Sequence, residues 1–122
     1  MNYTSMIFSP TGGTEKVAAA LTATWGIASQ IVDLTNAKTD FSSVVFQPED
    51  VMVIAVPSYG GRVPGLAAER IRQIHGNGAS AVLVCVYGNR AYEDTLAELE
   101  NLAKEAGFQV TAAVAGIAEH SI

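Results

Sequence analysis

The segment Phe8-Ser9-Pro10-Thr11-Gly12-Gly13-Thr14-Glu15-Lys16 decides how this chain is interpreted. It follows an apolar strand predicted at residues 3–8 and leads into a helix predicted at residues 14–25. Backbone N–H groups of such a turn, and of the first helical turn, point into one concavity where the helix dipole adds positive potential. The loop therefore suits a phosphate group, although an ordinary strand–turn–helix connection can have a similar sequence.

Hydroxyls and glycines of this loop are the candidate phosphate ligands. The hydroxyls can each donate a hydrogen bond, and the glycines allow close backbone approach and positive φ. The set is Ser9, Thr11, Gly12, Gly13 and Thr14. No lysine follows the glycines in the spacing of a P-loop nucleotidase, and no G-x-G-x-x-G dinucleotide fingerprint is present. Backbone and hydroxyl groups would therefore bind the phosphate, with no basic side chain nearer than Lys16.

Composition and charge exclude several classes of protein. The chain has 122 residues, of which 49% are hydrophobic and 16% charged, so we expect one globular domain spanning residues 1–122. The net charge of −5 leaves no basic stripe for nucleic acid. We also expect no membrane span, no signal peptide and no metal site. The expected location is the cytoplasm, and the single cysteine, Cys85, is expected to be a buried, inert thiol.

Apolar runs that suit strands alternate with helix-period segments along the chain. Strands are predicted at residues 3–8, 28–33, 51–56, 79–87 and 108–117, and helices at residues 14–25, 64–74 and 92–106. Residues 35–50 are predicted to form a loop with at most a short helical turn. The inner face of the second helix is expected to carry Leu66, Ala67, Ile71 and Ile74. This alternation indicates right-handed βαβ crossovers and a parallel sheet.

Glycine-bearing loops follow the first, third and fourth predicted strands, at residues 9–14, 57–65 and 87–92. Ligands of open α/β sheets bind beyond the carboxyl ends of the strands, where the strand order reverses. The three loops converge at that point if the strand order is 2-1-3-4-5.

Together the three loops resemble those of flavodoxin-type FMN domains. Thr11-Gly12-Gly13-Thr14-Glu15 is similar to the family's phosphate loop, usually T-G-N-T-E. Pro57-Ser58-Tyr59-Gly60-Gly61-Arg62 resembles the second flavin loop, and Tyr87-Gly88-Asn89-Arg90-Ala91-Tyr92-Glu93-Asp94 resembles the third. The combination looks closest to the flavodoxin-like domains that precede a ferredoxin-like 4Fe–4S module in anaerobic bacteria and archaea. The resemblance implies a doubly wound, five-stranded parallel sheet of order 2-1-3-4-5 and non-covalent binding of FMN.

The resemblance also implies roles for residues of each loop. Tyr59 and Tyr92 would flank the flavin ring, although each could also be a surface tyrosine. Arg62 and Arg90 depart from the family, in which the flavin rim is often acidic. They would favour the anionic reduced flavin if they lie near the ring; otherwise they are solvated loop arginines. The full cofactor-binding set is Ser9, Thr11, Gly12, Gly13, Thr14, Pro57, Ser58, Tyr59, Gly60, Gly61, Arg62, Tyr87, Gly88, Asn89, Arg90, Tyr92 and Asp94.

One peptide bond beside the ring is expected to change orientation. In the resembled family, a peptide at this point turns over when flavin N5 gains a proton, and glycine tolerates both states. Here the Tyr59–Gly60 or the Gly60–Gly61 peptide would take that part.

The function implied is that of an electron carrier rather than an enzyme with its own substrate. Its partner would be an iron–sulfur protein or a fused ferredoxin module. An NAD(P)H-dependent FMN reductase and a cofactor-free interaction module use the same fold and are the alternatives. Flavodoxins have a further helix after the fifth strand, whereas this sequence stops at Glu119-His120-Ser121-Ile122. We therefore expect a C-terminally truncated piece of a longer protein, or a homodimer that covers the bare sheet face.

Overall fold

A computed structural model describes residues 3–24, 30–87 and 93–117. Its elements follow the predicted order, and their ends differ only slightly from the predicted ones. They are β1 (Tyr3–Ile7), α1 (Gly13–Thr24), β2 (Gln30–Asp33), a 3₁₀ helix (Phe41–Ser43), β3 (Val51–Pro57), α2 (Gly65–Gln73), β4 (Ser80–Tyr87), α3 (Glu93–Glu105) and β5 (Gln109–Ile117). The predicted ends at Trp25, Ala28 and Tyr92 lie outside the described residues.

The strands form one parallel sheet of order β2-β1-β3-β4-β5, which confirms the expected fold class. The chain leaves β1 toward β2 on one side and returns to β3 on the other, so the strand order reverses between β1 and β3. The Phe8 N–H donates to the Ala55 carbonyl at 3.0 Å, and the Ser58 N–H donates to the Val86 carbonyl at 2.8 Å. The loops after β1, β3 and β4 therefore begin at the same edge of the sheet.

Helices cover the two faces of the sheet, and each face has its own apolar cluster. Ala18 of α1 packs with Val53 and Val84 on one face. Residues of α2 and α3 pack with Ile54 and Leu83 on the other. Residues 52–56 of β3 are all buried, as expected for a central strand that is apolar at every position.

The inner face of α2 differs from the prediction at one position. Leu66 is 54% exposed, whereas Ala67, Ala68 and Ile71 are buried. At 100° per residue, Leu66 lies about 145° from the centre of the buried face, so its side chain points away from the sheet. Ala68 lies only about 55° from that centre and is buried.

Part of β5 is exposed on the face that α1 covers. A Cβ added to Gly116 would lie 2.8 Å from Cγ1 of Val17, so Gly116 faces α1. Alternation along the strand puts Ala112 and Val114 on the same face, and both are exposed. This is the region where the sequence predicts cover by a further segment or a second copy, and that cover stays a prediction.

Cys85 is fully buried, and burial raises the pKa of its thiol to about 11. The protonated thiol is unreactive, which agrees with the inert cysteine expected from the sequence. None of the described helices is long and apolar enough to cross a bilayer. Over the same residues, no cluster of histidine, cysteine and carboxylate side chains could hold a metal ion.

A tight glycine turn joins α2 to β4. Asn77 and Gly78 have φ of 51° and 84°, and the Ala79 N–H closes the turn on the Gly76 carbonyl at 2.9 Å. Gly76 also lies against the turn between α3 and β5. A Cβ on Gly76 would lie 2.8 Å from the backbone nitrogen of Phe108, which is closer than real contacts allow.

Gly76→Ala should therefore destabilise the fold by about 1–3 kcal/mol, because backbone rather than a flexible side chain must move. Gly65→Ala is the matched control, since a Cβ there meets nothing within 4 Å. We expect the control to be neutral or slightly stabilising. Urea unfolding of both variants measures the difference, and equal stabilities would contradict the close contact.

Candidate functional site

The loop between β1 and α1 carries a row of backbone N–H groups that lack acceptors. Gly12, with φ of 89°, accepts the Lys16 N–H at 3.2 Å and so marks the start of the helix. Among the described contacts, the N–H groups of Thr11, Gly12, Gly13 and Thr14 have no acceptor. Helix N-termini leave such donors unsatisfied, and an anion satisfies them while it interacts with the dipole.

Ser9 holds this loop in place. Its Oγ accepts the Glu15 N–H at 3.0 Å, and its own N–H donates to Oγ1 of Thr35 at 2.9 Å. Thr35 in turn donates its N–H to Asp33 at 2.9 Å. Thr35 was not among the residues predicted from the sequence, although the Asp33-x-Thr35 spacing is typical of an Asx-turn after β2.

Thr14 carries a hydroxyl that is placed to meet a ligand. The residue as a whole is only 4% exposed, and no partner of its hydroxyl occurs in the described part of the chain. No buried side-chain oxygen or nitrogen of the described residues lacks a hydrogen bond, so this hydroxyl reaches the surface, where it can donate to a ligand. An anion at the start of α1 would provide the missing partner.

Acidic side chains define where an anion would not bind. Glu15 and Asp33, together with Ile7, Ser9 and Ile31, line a cleft of about 110 Å³ beside the same loop. Two carboxylates disfavour an anion in that cleft. A phosphate would instead sit at the N–H groups of residues 11–14.

The loop after β3 forms a two-residue glycine turn. The Tyr59 N–H donates to the Arg62 carbonyl at 2.9 Å, and the Arg62 N–H donates to the Tyr59 carbonyl at 3.0 Å. Gly60 and Gly61 have φ of 58° and 80°, as a type I′ turn requires. Tyr59 is half exposed, so its ring is available to a ligand.

The hydrogen bonds of this turn distinguish between the Tyr59–Gly60 and Gly60–Gly61 peptides, either of which the sequence allowed to reorient. Turning over the Tyr59–Gly60 peptide would break the bond between the Tyr59 carbonyl and Arg62. Turning over the Gly60–Gly61 peptide converts type I′ to type II′ and keeps both bonds between Tyr59 and Arg62. The described contacts give that peptide no hydrogen bond to lose. The structure thus favours the Gly60–Gly61 peptide as the one able to reorient.

Arg62 is not a lone positive charge, because Glu98 of α3 binds it. Its Nε and Nη2 donate to Oε1 and Oε2 of Glu98 at 2.9 and 3.1 Å. Glu98 also accepts the Val63 N–H at 2.9 Å. The hydrogen bonds from Arg62 lower the pKa of Glu98, although partial burial opposes that shift. The sequence suggested that Arg62 would place a positive charge near a flavin ring. The carboxylate of Glu98 largely balances that charge.

A second contact joins α3 to the same loop. The Ser58 and Thr95 hydroxyls lie 2.7 Å apart, and Thr95 is fully buried. Thr95 and Glu98 were not among the residues predicted from the sequence. Their spacing of three on one helix face was readable, but nothing local indicated that they face the loop after β3.

The third predicted loop is described only at its ends. Tyr87 ends β4 and is partly buried, and Asp94 is exposed on α3. Gly88, Asn89, Arg90 and Tyr92 lie outside the described residues. Pro57 ends β3 and is partly buried. The structure thus brings the first two loops and Tyr87 to one edge, and the binding roles of all the candidate residues stay predictions.

Comparison with known proteins gives a fold but no family. No protein-family model matches the chain, and no curated protein matches its sequence. The flavodoxin of Streptococcus pneumoniae TIGR4 matches with a TM-score of 0.68 at 16% identity, over 99% of this chain and 88% of that one. The two-electron reduced flavodoxin of Megasphaera elsdenii matches with a TM-score of 0.67 at 18% identity, over 97% of this chain and 88% of that one. A Lactobacillus acidophilus flavoprotein solved in complex with FMN matches with a TM-score of 0.68 at 10% identity, over 93% of this chain and 92% of that one.

These similarities show that the fold of the chain is flavodoxin-like. Sequence identities this low establish a shared architecture but not a shared function, because proteins with the same α/β fold can have many different activities.

The contribution of Glu98 to stability should depend on pH. Since its pKa is lowered from 4.5 in the folded chain, ionisation favours folding above that value. The contribution is complete above the ordinary pKa and is lost as the pH falls through the lowered one. We expect the difference in free energy of unfolding between the wild type and Glu98→Gln to be constant above about pH 6 and to shrink below about pH 4.5.

Urea unfolding between about pH 3 and pH 7 measures this difference. Glu105→Gln is the control, because Glu105 lies on the same helix as Glu98. Its carboxylate lies 3.9 Å from Arg72 of α2, and the pair is exposed. Exposed pairs contribute little, so the control should show a flatter profile. A difference for Glu98 that does not change with pH would contradict the lowered pKa.

Proposed function

We propose that this chain binds FMN without a covalent bond and acts as an electron-transfer domain of the flavodoxin type. One observation carries the proposal: in the described contacts, the N–H groups of residues 11–14 and the Thr14 hydroxyl all lack partners at the start of α1. FMN ends in a phosphate, whose oxygens accept such hydrogen bonds. The Lactobacillus acidophilus flavoprotein, which has a similar fold, was solved with FMN and supports this choice of ligand.

The phosphate end of the ligand would be held by neutral groups. Lys16 is exposed one turn into α1, so backbone N–H groups, hydroxyls and the helix dipole would supply the attraction. A dipole contact contributes about 0.3–1 kcal/mol at an exposed site and more where the site is partly buried. Hydrogen bonds to a charged acceptor are stronger than those between neutral groups. This set suits an anion held at a fixed place rather than a loosely attracted one.

The ring end would lie against the turn of residues 59–62. Tyr59 is half exposed there, and stacking of an aromatic ring contributes about 0.5–1.5 kcal/mol beyond burial. The Gly60–Gly61 peptide can present either its N–H or its carbonyl to the ring edge. When bound, FMN supplies the redox chemistry, while the chain binds and orients it.

The partner would be an iron–sulfur protein or a fused ferredoxin-like module, in the cytoplasm. The likeness of the three loops to ferredoxin-associated domains supports this partner. In the same proposal, a second copy or a further segment of chain covers the exposed face of β5 at Ala112 and Val114.

Absorbance titration of the purified, flavin-free protein with FMN tests the proposal. We expect a shifted and structured flavin band, and weaker binding of riboflavin, which lacks the phosphate. Failure to bind FMN would overturn the proposal in favour of a cofactor-free interaction module. Rapid bleaching of the bound flavin by NADPH alone would favour a reductase over an electron carrier.

Thr14→Val should weaken FMN binding about tenfold, because the phosphate loses a hydroxyl donor. Riboflavin binding should not change. Stability of the flavin-free chain should change little, since the hydroxyl has no partner to lose in the described part of the chain. Thr22→Val is the control, because the Thr22 hydroxyl bonds to the Ala19 carbonyl at 3.2 Å within the same helix. Equal FMN affinity of Thr14→Val and the wild type would remove Thr14 from the site.

A further inference from the structure

We propose that Glu98 is a positioning residue that holds the turn of residues 59–62 in the shape that receives the flavin ring. This inference rests on the proposed function, because the turn matters only if it meets a ring. Glu98 itself lies on α3 and needs no contact with the ligand. Thr95, one turn earlier on the same helix, assists it.

The carboxylate of Glu98 fixes the exit of the turn. Its two oxygens bind the guanidinium of Arg62, the last residue of the turn, and one of them also accepts the N–H of Val63. The paired geometry restricts rotation as well as distance. Val63 is buried, so the backbone immediately after the turn is held from both the core and α3.

Thr95 fixes the entrance of the turn. Its buried hydroxyl lies within hydrogen-bond distance of the Ser58 hydroxyl, and the Ser58 N–H is bound to the Val86 carbonyl of β4. Residues three apart lie on the same face of a helix. One face of α3 therefore holds the residues on both sides of the turn.

Between these two anchors, the Gly60–Gly61 peptide is the part of the turn without a hydrogen bond in the described contacts. The anchors keep the outer residues in place while that peptide stays able to reorient. An arrangement of this kind lets the turn change its donor or acceptor at the ring without moving Tyr59. Loss of the Glu98 anchor would add disorder to the turn, and the ligand would have to restore the order on binding.

Two other carboxylates of α3, Glu100 and Glu105, make no comparable contact in the described part of the chain. Glu100 pairs with Lys104 of the same helix at 3.1 Å, and Glu105 lies 3.9 Å from Arg72 of α2. Both are exposed side-chain pairs without a bond to backbone. The Glu98 carboxylate differs because it binds the backbone of another loop.

The experiment compares Glu98→Gln with Glu105→Gln, which removes the same charge from the same helix. Affinities for FMN and for riboflavin are measured, together with hydrogen exchange of the Arg62 and Val63 amides in the flavin-free chain. Glu98→Gln should weaken both flavins about tenfold, because the turn meets the ring that they share. Exchange at Arg62 and Val63 should quicken by at least as much, while Glu105→Gln changes neither property.

This pattern separates positioning from general destabilisation and from phosphate binding. Thr14→Val should affect FMN alone, whereas Glu98→Gln should affect FMN and riboflavin equally. If Glu98→Gln fails to fold, Arg62→Ala tests the same anchor, because it removes an exposed side chain and leaves the Val63 bond. It should give a smaller effect in the same direction.

Wild-type affinity for both flavins in Glu98→Gln, or unchanged exchange at Arg62 and Val63, would overturn the inference. If the wild type binds no flavin, the proposed function fails, and with it the role of the turn toward a ring. Exchange in the flavin-free chain then still decides whether Glu98 holds the turn.

Discussion

The structure depends on a shared end point of its three central strands. Backbone hydrogen bonds from Phe8 to Ala55 and from Ser58 to Val86 bring β1, β3 and β4 to the same edge of the sheet. Parallel strands that end together send their loops to one place, even when those loops are far apart in the chain. Every contact that makes the edge a candidate site follows from that alignment.

At this edge, backbone groups rather than charged side chains would supply the proposed binding chemistry. The start of α1 offers N–H donors and the Thr14 hydroxyl, and Ser9 fixes the loop that presents them. The nearby carboxylates of Glu15 and Asp33 restrict where a negative group can sit. Charge at the second loop is balanced as well, since Arg62 is bound by a carboxylate. A ligand would therefore meet hydrogen-bond donors held in fixed directions, and those directions would matter more than attraction to a positive side chain.

The helix α3 has a larger part in the site than its sequence suggests. Leu99 and Leu102 of this helix are buried in the core. Thr95 and Glu98 of the same helix contact the loop after β3. A helix that is packed into the core is a rigid support, so hydrogen bonds to it restrict the motion of the loop. The flexible element is then confined to the glycine pair at the tip of the turn.

The sequence by itself determined the alternation of strands and helices, the parallel sheet and the glycine-bearing loops that follow its central strands. It could do so because those features depend on local chemistry: apolar periodicity, and glycines such as Gly60, whose φ of 58° few other residues tolerate. Only the tertiary structure decided that Leu66 faces solvent and that Glu98 binds Arg62. Such pairings join residues far apart in the chain, and packing of the helix against the sheet, rather than any local preference, brings them together.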